Sequence, residues 1–218
     1  MTRYRALLLL CVALVAALTF IAPPYPHEIL LQHIPTAVAL GLLAISHRFL
    51  PISDRSLTML VLFLLVHIVG ARWIYSFVPY DRWSQTLLGV SISEAMGWHR
   101  NHYDRFVHFM YGVLFAYPIR EFCLRRLLVS RRFASYIALE FTMATSMLYE
   151  VVEWGLAMAL APDAAERYNG QQGDMWDAQK DMVLASLGAV VTLTVIEVRR
   201  AWGRDSRPSK DNASSVQS

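Results

Sequence analysis

Charge is scarce in this sequence. Aspartate, glutamate, lysine and arginine supply 17% of its residues and hydrophobic residues 56%, whereas a soluble domain carries about 25% charge. The deficit is concentrated in long apolar runs, which excludes an ordinary soluble domain and points to an integral membrane protein. Cysteine is nearly absent. Cys11 and Cys123 fall in or beside different apolar runs, so no disulfide framework is expected. Familiar catalytic signatures are missing as well: no Gly-x-Ser-x-Gly elbow, no His-Glu-x-x-His, no paired histidine boxes, no Glu-x-x-His pair of the di-iron bundle kind and no phosphate loop. There is no internal repeat.

What is present is a series of apolar runs separated by arginines. The pattern predicts an all-α, polytopic transmembrane helix bundle of about six spans plus a short interfacial helix. The expected spans are 6–22, 34–50, 56–77, 102–124, 133–161 and 176–198. The first is read as an uncleaved span, because no small-x-small site precedes Pro23-Pro24. Residues 80–100 read as a surface loop with a helix at the interface, where Trp83 and Trp98 suit headgroup depth. Residues 1–200 form one domain, and 201–218 a polar, disordered cytoplasmic tail. Arg3 and Arg5, then Arg48 and Arg55, then Arg120 to Arg132, then Arg199 to Lys210 all fall on one side of such a bundle. The positive-inside rule makes that side the cytoplasm and puts both termini there. The net charge of +3 therefore reads as a topology signal, and no nucleic-acid partner is expected.

Against this apolar background the carboxylates stand out. Asp104 and His108 open the fourth span, four residues apart and on one helical face. Glu150 and Glu153 sit late in the fifth. Asp174, Asp177 and Asp181 open the sixth at spacings of three and four. With the topology above, all lie in the outer part of the membrane. Like charges at one depth repel unless paired. One remedy is a divalent metal ion held by Asp104, His108, Glu150, Glu153, Asp174, Asp177 and Asp181. The other is pairing with Arg72, Arg105 and Lys180 together with protonation. A plainer reading makes Asp104 the cap of the fourth helix and Asp174 or Asp177 that of the sixth. It leaves Glu150, Glu153 and Asp181 unexplained. These three are the candidate acid–base groups, and Arg105 and Lys180 the candidate contacts to an anionic headgroup.

The runs RNHYDRFVHF (100–109), YEVVEW (149–154) and GDMWDAQKDM (173–182) resemble the bacterial YjdF-type inner-membrane proteins. A looser likeness links Asp104 and His108, Glu150 or Glu153, and Asp177 or Asp181 to VanZ-like membrane proteins. The first resemblance implies a multi-span inner-membrane protein, and the second hints at the cell envelope. The leading expectation is an outward-facing site that binds or acts on a membrane lipid or lipid-linked small molecule, as a metal-dependent hydrolase or transferase. The alternatives are a proton-coupled transporter, which intramembrane acids also suit, and a structural scaffold whose polar cluster locks helices together.

Overall fold

The computed structural model describes residues 2–49, 52–159 and 172–205. Among the described residues there are eight α-helices, a π-helical segment at Cys123–Leu127 and no strand. Six are long: α1 (Arg3–Thr19), α2 (Ile29–Phe49), α3 (Asp54–Arg72), α6 (Tyr103–Phe122), α7 (Arg131–Ala159) and α8 (Asp177–Asp205). Two are short, α4 (Tyr80–Leu88) and α5 (Ile92–Met96), and they fill the segment expected to hold one interfacial helix. Each short helix ends on a glycine in the left-handed region, Gly89 (φ 73°) and Gly97 (φ 66°), the usual helix stop.

The six long helices occupy the six expected positions. By length and composition, Ile29–Ser46, Asp54–Arg72 and Asp177–Trp202 are long and apolar enough to cross a membrane. The other three are shorter or carry the charges discussed below. Large apolar side chains cover the outside of the bundle, among them Leu10, Leu14, Val38, Ile45, Met147 and Val183, all more than one-third exposed. Such a coat suits hydrocarbon and would be costly in water. This is a membrane helix bundle.

Boundaries differ from the sequence expectation in two instructive places. α2 begins at Ile29, five residues before the expected Ile34, and runs through Pro35. Gln32 and His33 break the apolar run, yet both are buried. His33 is paired on both ring nitrogens, with the Thr19 hydroxyl at 2.9 Å and the Ile29 carbonyl at 3.0 Å. α8 continues to Asp205, so residues 201–205 of the expected tail are helical. Residues 206–218, and 160–171 of the loop before α8, lie outside the described residues.

The helices form two groups. α1, α2 and α3 share an apolar core of Val12, Ala16, Leu57, Val61, Leu64 and Ile68. α6, α7 and α8 meet through small residues, with Ala116, Ala138 and Ala189 completely buried, as expected where backbones approach closely in a membrane. The closest approach is between α6 and α8. A Cβ added to Gly112 would lie 1.9 Å from the Ala185 carbonyl oxygen, and one added to Gly188 2.2 Å from that of Phe109. α3 and α6 join the two groups. Tyr103 donates to the Val66 carbonyl (2.9 Å) near one end of this seam. At the other end Glu121 accepts from the Ser53 amide (3.0 Å) and the Ser56 hydroxyl (2.6 Å) and pairs with Arg125 (3.0 Å). Arg120 ties α6 to α7 and α8 through Ser135 and Glu197, each at 2.8 Å. This second polar knot is fully partnered, which makes it a clamp.

Candidate functional site

The α6–α8 contact sets the site. Because Gly112 and Gly188 let these helices touch backbone to backbone, the starts of α6 and α8 stay close enough for their polar side chains to meet. Asp104 and His108 project from α6, and Asp177 and Asp181 from α8. All four are buried. α7 brings Glu150 alongside.

The structure divides the expected cluster into two sets. The inner set is Asp104, His108, Asp181 and the two glutamates. One donor atom each from Asp104, His108 and Asp181 lies within 4.8 Å of the others. His108 Nε2 is 3.8 Å from Asp104 and 3.5 Å from Glu150, and its ring packs edge-on against Tyr149. Glu153 accepts a hydrogen bond from Tyr149 and lies in the field of Asp104, Glu150 and Asp181. Among the described residues, Glu150 Oε1 and Asp181 Oδ1 are buried with no hydrogen-bond partner. Carboxylate oxygens in that state are costly to keep.

The outer set is an ion-pair lattice. Arg100 holds Asp177 with two nitrogens, at 2.7 and 3.1 Å, the strong bidentate arrangement. Arg105 bridges Asp177 (3.1 Å) and Asp174. Lys180 reaches Asp174 at 2.5 Å, and the Trp176 amide donates to the remaining Asp174 oxygen at 3.1 Å. The lattice pins the loop before α8 to the start of α6, helped by Gln172, which accepts from the Asn101 amide at 3.0 Å. Asp174 lies outside the helices. The Lys180 hydrogen bond, with the Trp176 amide and Arg105, holds its carboxyl far below the ordinary carboxylate range.

Four sequence expectations change as a result. Asp174 and Asp177 are not placed as metal ligands, since all four of their oxygens accept hydrogen bonds from the lattice. Arg72 does not pair with the cluster. It donates to the carbonyls of Thr19 (2.5 Å) and Ile21 (3.3 Å) and caps the end of α1. Arg105 and Lys180 line a different hollow from the inner set, one of about 670 Å³ shared with Trp98, Phe106 and Leu184. The capping reading of Asp104 also fails. The N-cap of α6 is His102, which makes no side-chain cap bond, and the Asp104 carboxylate turns to His108. Arg100 carries most of the pairing with Asp177 and was not singled out from sequence. It lies in a loop before α6, and only the tertiary contact with α8 reveals its role.

Among the described residues, six carboxylates of the two sets face three permanent cations, Arg100, Arg105 and Lys180, whose hydrogen bonds go to the outer pair. Among the described residues, the ring within ion-pair distance of the inner acids is that of His108. A cavity of about 390 Å³ opens from this inner set. Asp104, His108 and Tyr149 line its polar end, and Leu42, Phe63 and Phe115 its apolar body.

Fold and site together define a membrane-embedded helical protein with a buried acidic cluster near one end of its bundle. Over residues 4–201 the chain matches the family described as Predicted membrane protein (DUF2238), and it belongs to that family. It is 32% identical over 165 residues, 75% of each chain, to the inner membrane protein YjdF of Escherichia coli (strain K12). The looser VanZ likeness has no counterpart in these matches. No solved structure matches the chain.

Proposed function

We propose that this chain crosses the inner membrane six times with both termini in the cytoplasm, and that its inner set binds a divalent metal ion facing the outer leaflet. The ligands are Asp104, His108 and Asp181, with Glu150 adjoining. The substrate is a membrane lipid or a lipid-linked small molecule. The observation that carries this reading is the convergence of three ligand-type side chains from α6 and α8 beside two buried carboxylate oxygens without hydrogen-bond partners. Ligands bind such an ion at about 2.0–2.2 Å, so they stand at most ~4.4 Å apart. Side-chain shifts below an ångström close the present spacing. The ligand chemistry, two carboxylates and one imidazole, suits a hard or borderline divalent ion.

A metal there would neutralise the acids and polarise a phosphoryl or carbonyl oxygen. Glu150 is the best-placed base. Its Oε1, 3.5 Å from His108 Nε2 and accepting no hydrogen bond among the described residues, would take a proton from a water activated by a bound ion. Glu153 and Asp181 complete the acidic shell. The headgroup role considered for Arg105 and Lys180 belongs to the second hollow, because they line no part of the first.

Metal content of detergent-purified protein tests the proposal. Near-stoichiometric divalent metal is expected in wild type and in Asp174→Asn, with loss in His108→Ala and Asp181→Asn at unchanged folding. Equal content in all four proteins would refute it. The scaffold reading retains one domain of support. Every carboxylate oxygen of the outer lattice accepts a hydrogen bond, and the role of the lattice is to hold the inner set in place.

A further inference from the structure

The largely apolar body of the first cavity points to what occupies the site; its polar atoms include the Ser146 hydroxyl and His67 Nε2, both unpartnered among the described residues. The cavity lies between the two helix groups and is bounded by α2, α3, α6 and α7. α3 and α6 pack on each other at its back, while α2 and α7 share no extensive contact at its front. The outward faces beside that front are apolar: Val38 and Ile45 on α2, Met147 and Val151 on α7. On α6 the cavity wall runs from Asp104 to Phe115, about 16 Å at 1.5 Å per residue. That is about half of the ~30 Å hydrocarbon core, the depth of one leaflet.

Ser146 supplies the second observation. It lines the cavity, is 2% exposed, and its hydroxyl has no hydrogen-bond partner among the described residues. Its neighbours on α7 behave otherwise. Thr142 donates to the Ala138 carbonyl at 2.9 Å and Thr145 to that of Phe141 at 2.6 Å, the usual way a helix satisfies such groups. A buried hydroxyl that declines this bond is costly unless an occupant accepts from it. Ser146 lies one helical turn below Glu150, about 6 Å deeper. That is the offset of a glycerol ester from its phosphate.

We propose that the cavity holds one acyl chain of an outer-leaflet phospholipid, which enters sideways between α2 and α7. The chain lies along Leu42, Leu60, Phe63 and Phe115. The ester carbonyl accepts from Ser146, and the phosphate sits at the Asp104–His108–Glu150 end. The placement of the phosphate rests on the metal reading above, since the acids alone would repel it. The placement of the chain does not.

The test uses the full chain in nanodiscs with a phosphatidylglycerol that carries a diazirine midway along one acyl chain. Irradiation followed by peptide mapping is expected to label Phe63, Phe115 or their neighbours inside the cavity. Ala39→Trp, which fills the cavity from α2, should lower that labelling at least tenfold, while Val38→Trp on the outward face leaves it unchanged. Metal content should stay at the wild-type level in both. Ser146→Ala, a mild change, should abolish the preference for an ester-linked over an ether-linked probe. Labelling confined to outward faces, or equal in Ala39→Trp and Val38→Trp, would overturn the proposal. If His108→Ala removes the metal but leaves chain labelling intact, the chain site stands. If wild type binds no metal while Ala39→Trp still blocks labelling, the metal reading alone fails.

Discussion

Replacing Gly112 by alanine sets two known effects against each other. In a helix interior alanine is favoured over glycine by about 0.8–1 kcal/mol, so the change should stabilise α6 if nothing touches it. At Gly112 the new methyl would stand 1.9 Å from the Ala185 carbonyl oxygen and 2.7 Å from the Ala189 amide nitrogen. Both are backbone atoms of a packed helix, with no side chain to swing aside. Reaching ordinary van der Waals contact needs α6 and α8 to part by about 1.5 Å at that level, and overpacking of this kind costs ~1–3 kcal/mol or more. The clash should therefore exceed the propensity gain, and Gly112→Ala should be net destabilising. Gly41 and Gly155 are the controls. They sit in α2 and α7 with nothing within 4 Å of an added Cβ, and alanine there should raise stability by about 0.5–1 kcal/mol. Thermal unfolding in one detergent, read for all three variants, makes the comparison. Because the same helix pair positions Asp104 and His108 against Asp181, Gly112→Ala should also weaken metal retention in the protein that remains folded. A Gly112→Ala protein as stable as Gly41→Ala would refute the claim that glycine contact sets the α6–α8 distance.

Arg100→Ala should cost less than the about 3–5 kcal/mol of a fully orphaned buried charge, since Asp177 loses its bidentate partner but keeps Arg105 at 3.1 Å. Adding Asp177→Asn should recover part of that loss, and a double-mutant cycle by denaturant unfolding measures the coupling. The outer lattice also has an acid limit. The Asp174 carboxyl is held below its unfolded value, so its contribution is fully present above about pH 4, the unfolded carboxylate value, and is lost as pH falls toward its folded value. Melting temperatures of wild type and Asp174→Asn should differ at pH 6 and converge below pH 4, and a constant difference across that range would contradict the pairing.

Much of this site was legible in the sequence, and the reason is periodicity. Asp104 and His108 are four apart in an apolar run, and Asp177 and Asp181 repeat that spacing. In runs otherwise poor in charge, each pair falls on one helical face. The identity of the helices that meet there was less accessible. Gly112 and Gly188 are single glycines in apolar runs, and only the packed structure shows that both lie at one crossing. The split into two sets was also hidden. Asp174 and Asp177 look like Asp181 along the chain, but Arg100 and Arg105 reach them across the α6–α8 seam and consume their oxygens. Arg72 misled for a related reason. A cation at the end of an apolar helix suggests a partner for the acids, whereas the carbonyls ending α1 were nearer and offered no sequence signal. The early start of α2 shows the limit of hydropathy, since Gln32 and His33 interrupt the pattern while their bonds allow burial.

The convergence of imidazole and carboxylate on one ion is tested most directly by manganese titration followed by electron spin-echo spectroscopy of the purified full chain. One bound Mn²⁺ whose echo is modulated by a directly coordinated histidine nitrogen, with the modulation gone in His108→Gln and retained in His67→Gln, is the result the structure predicts. Bound manganese with no nitrogen modulation, or modulation that survives His108→Gln, would contradict it.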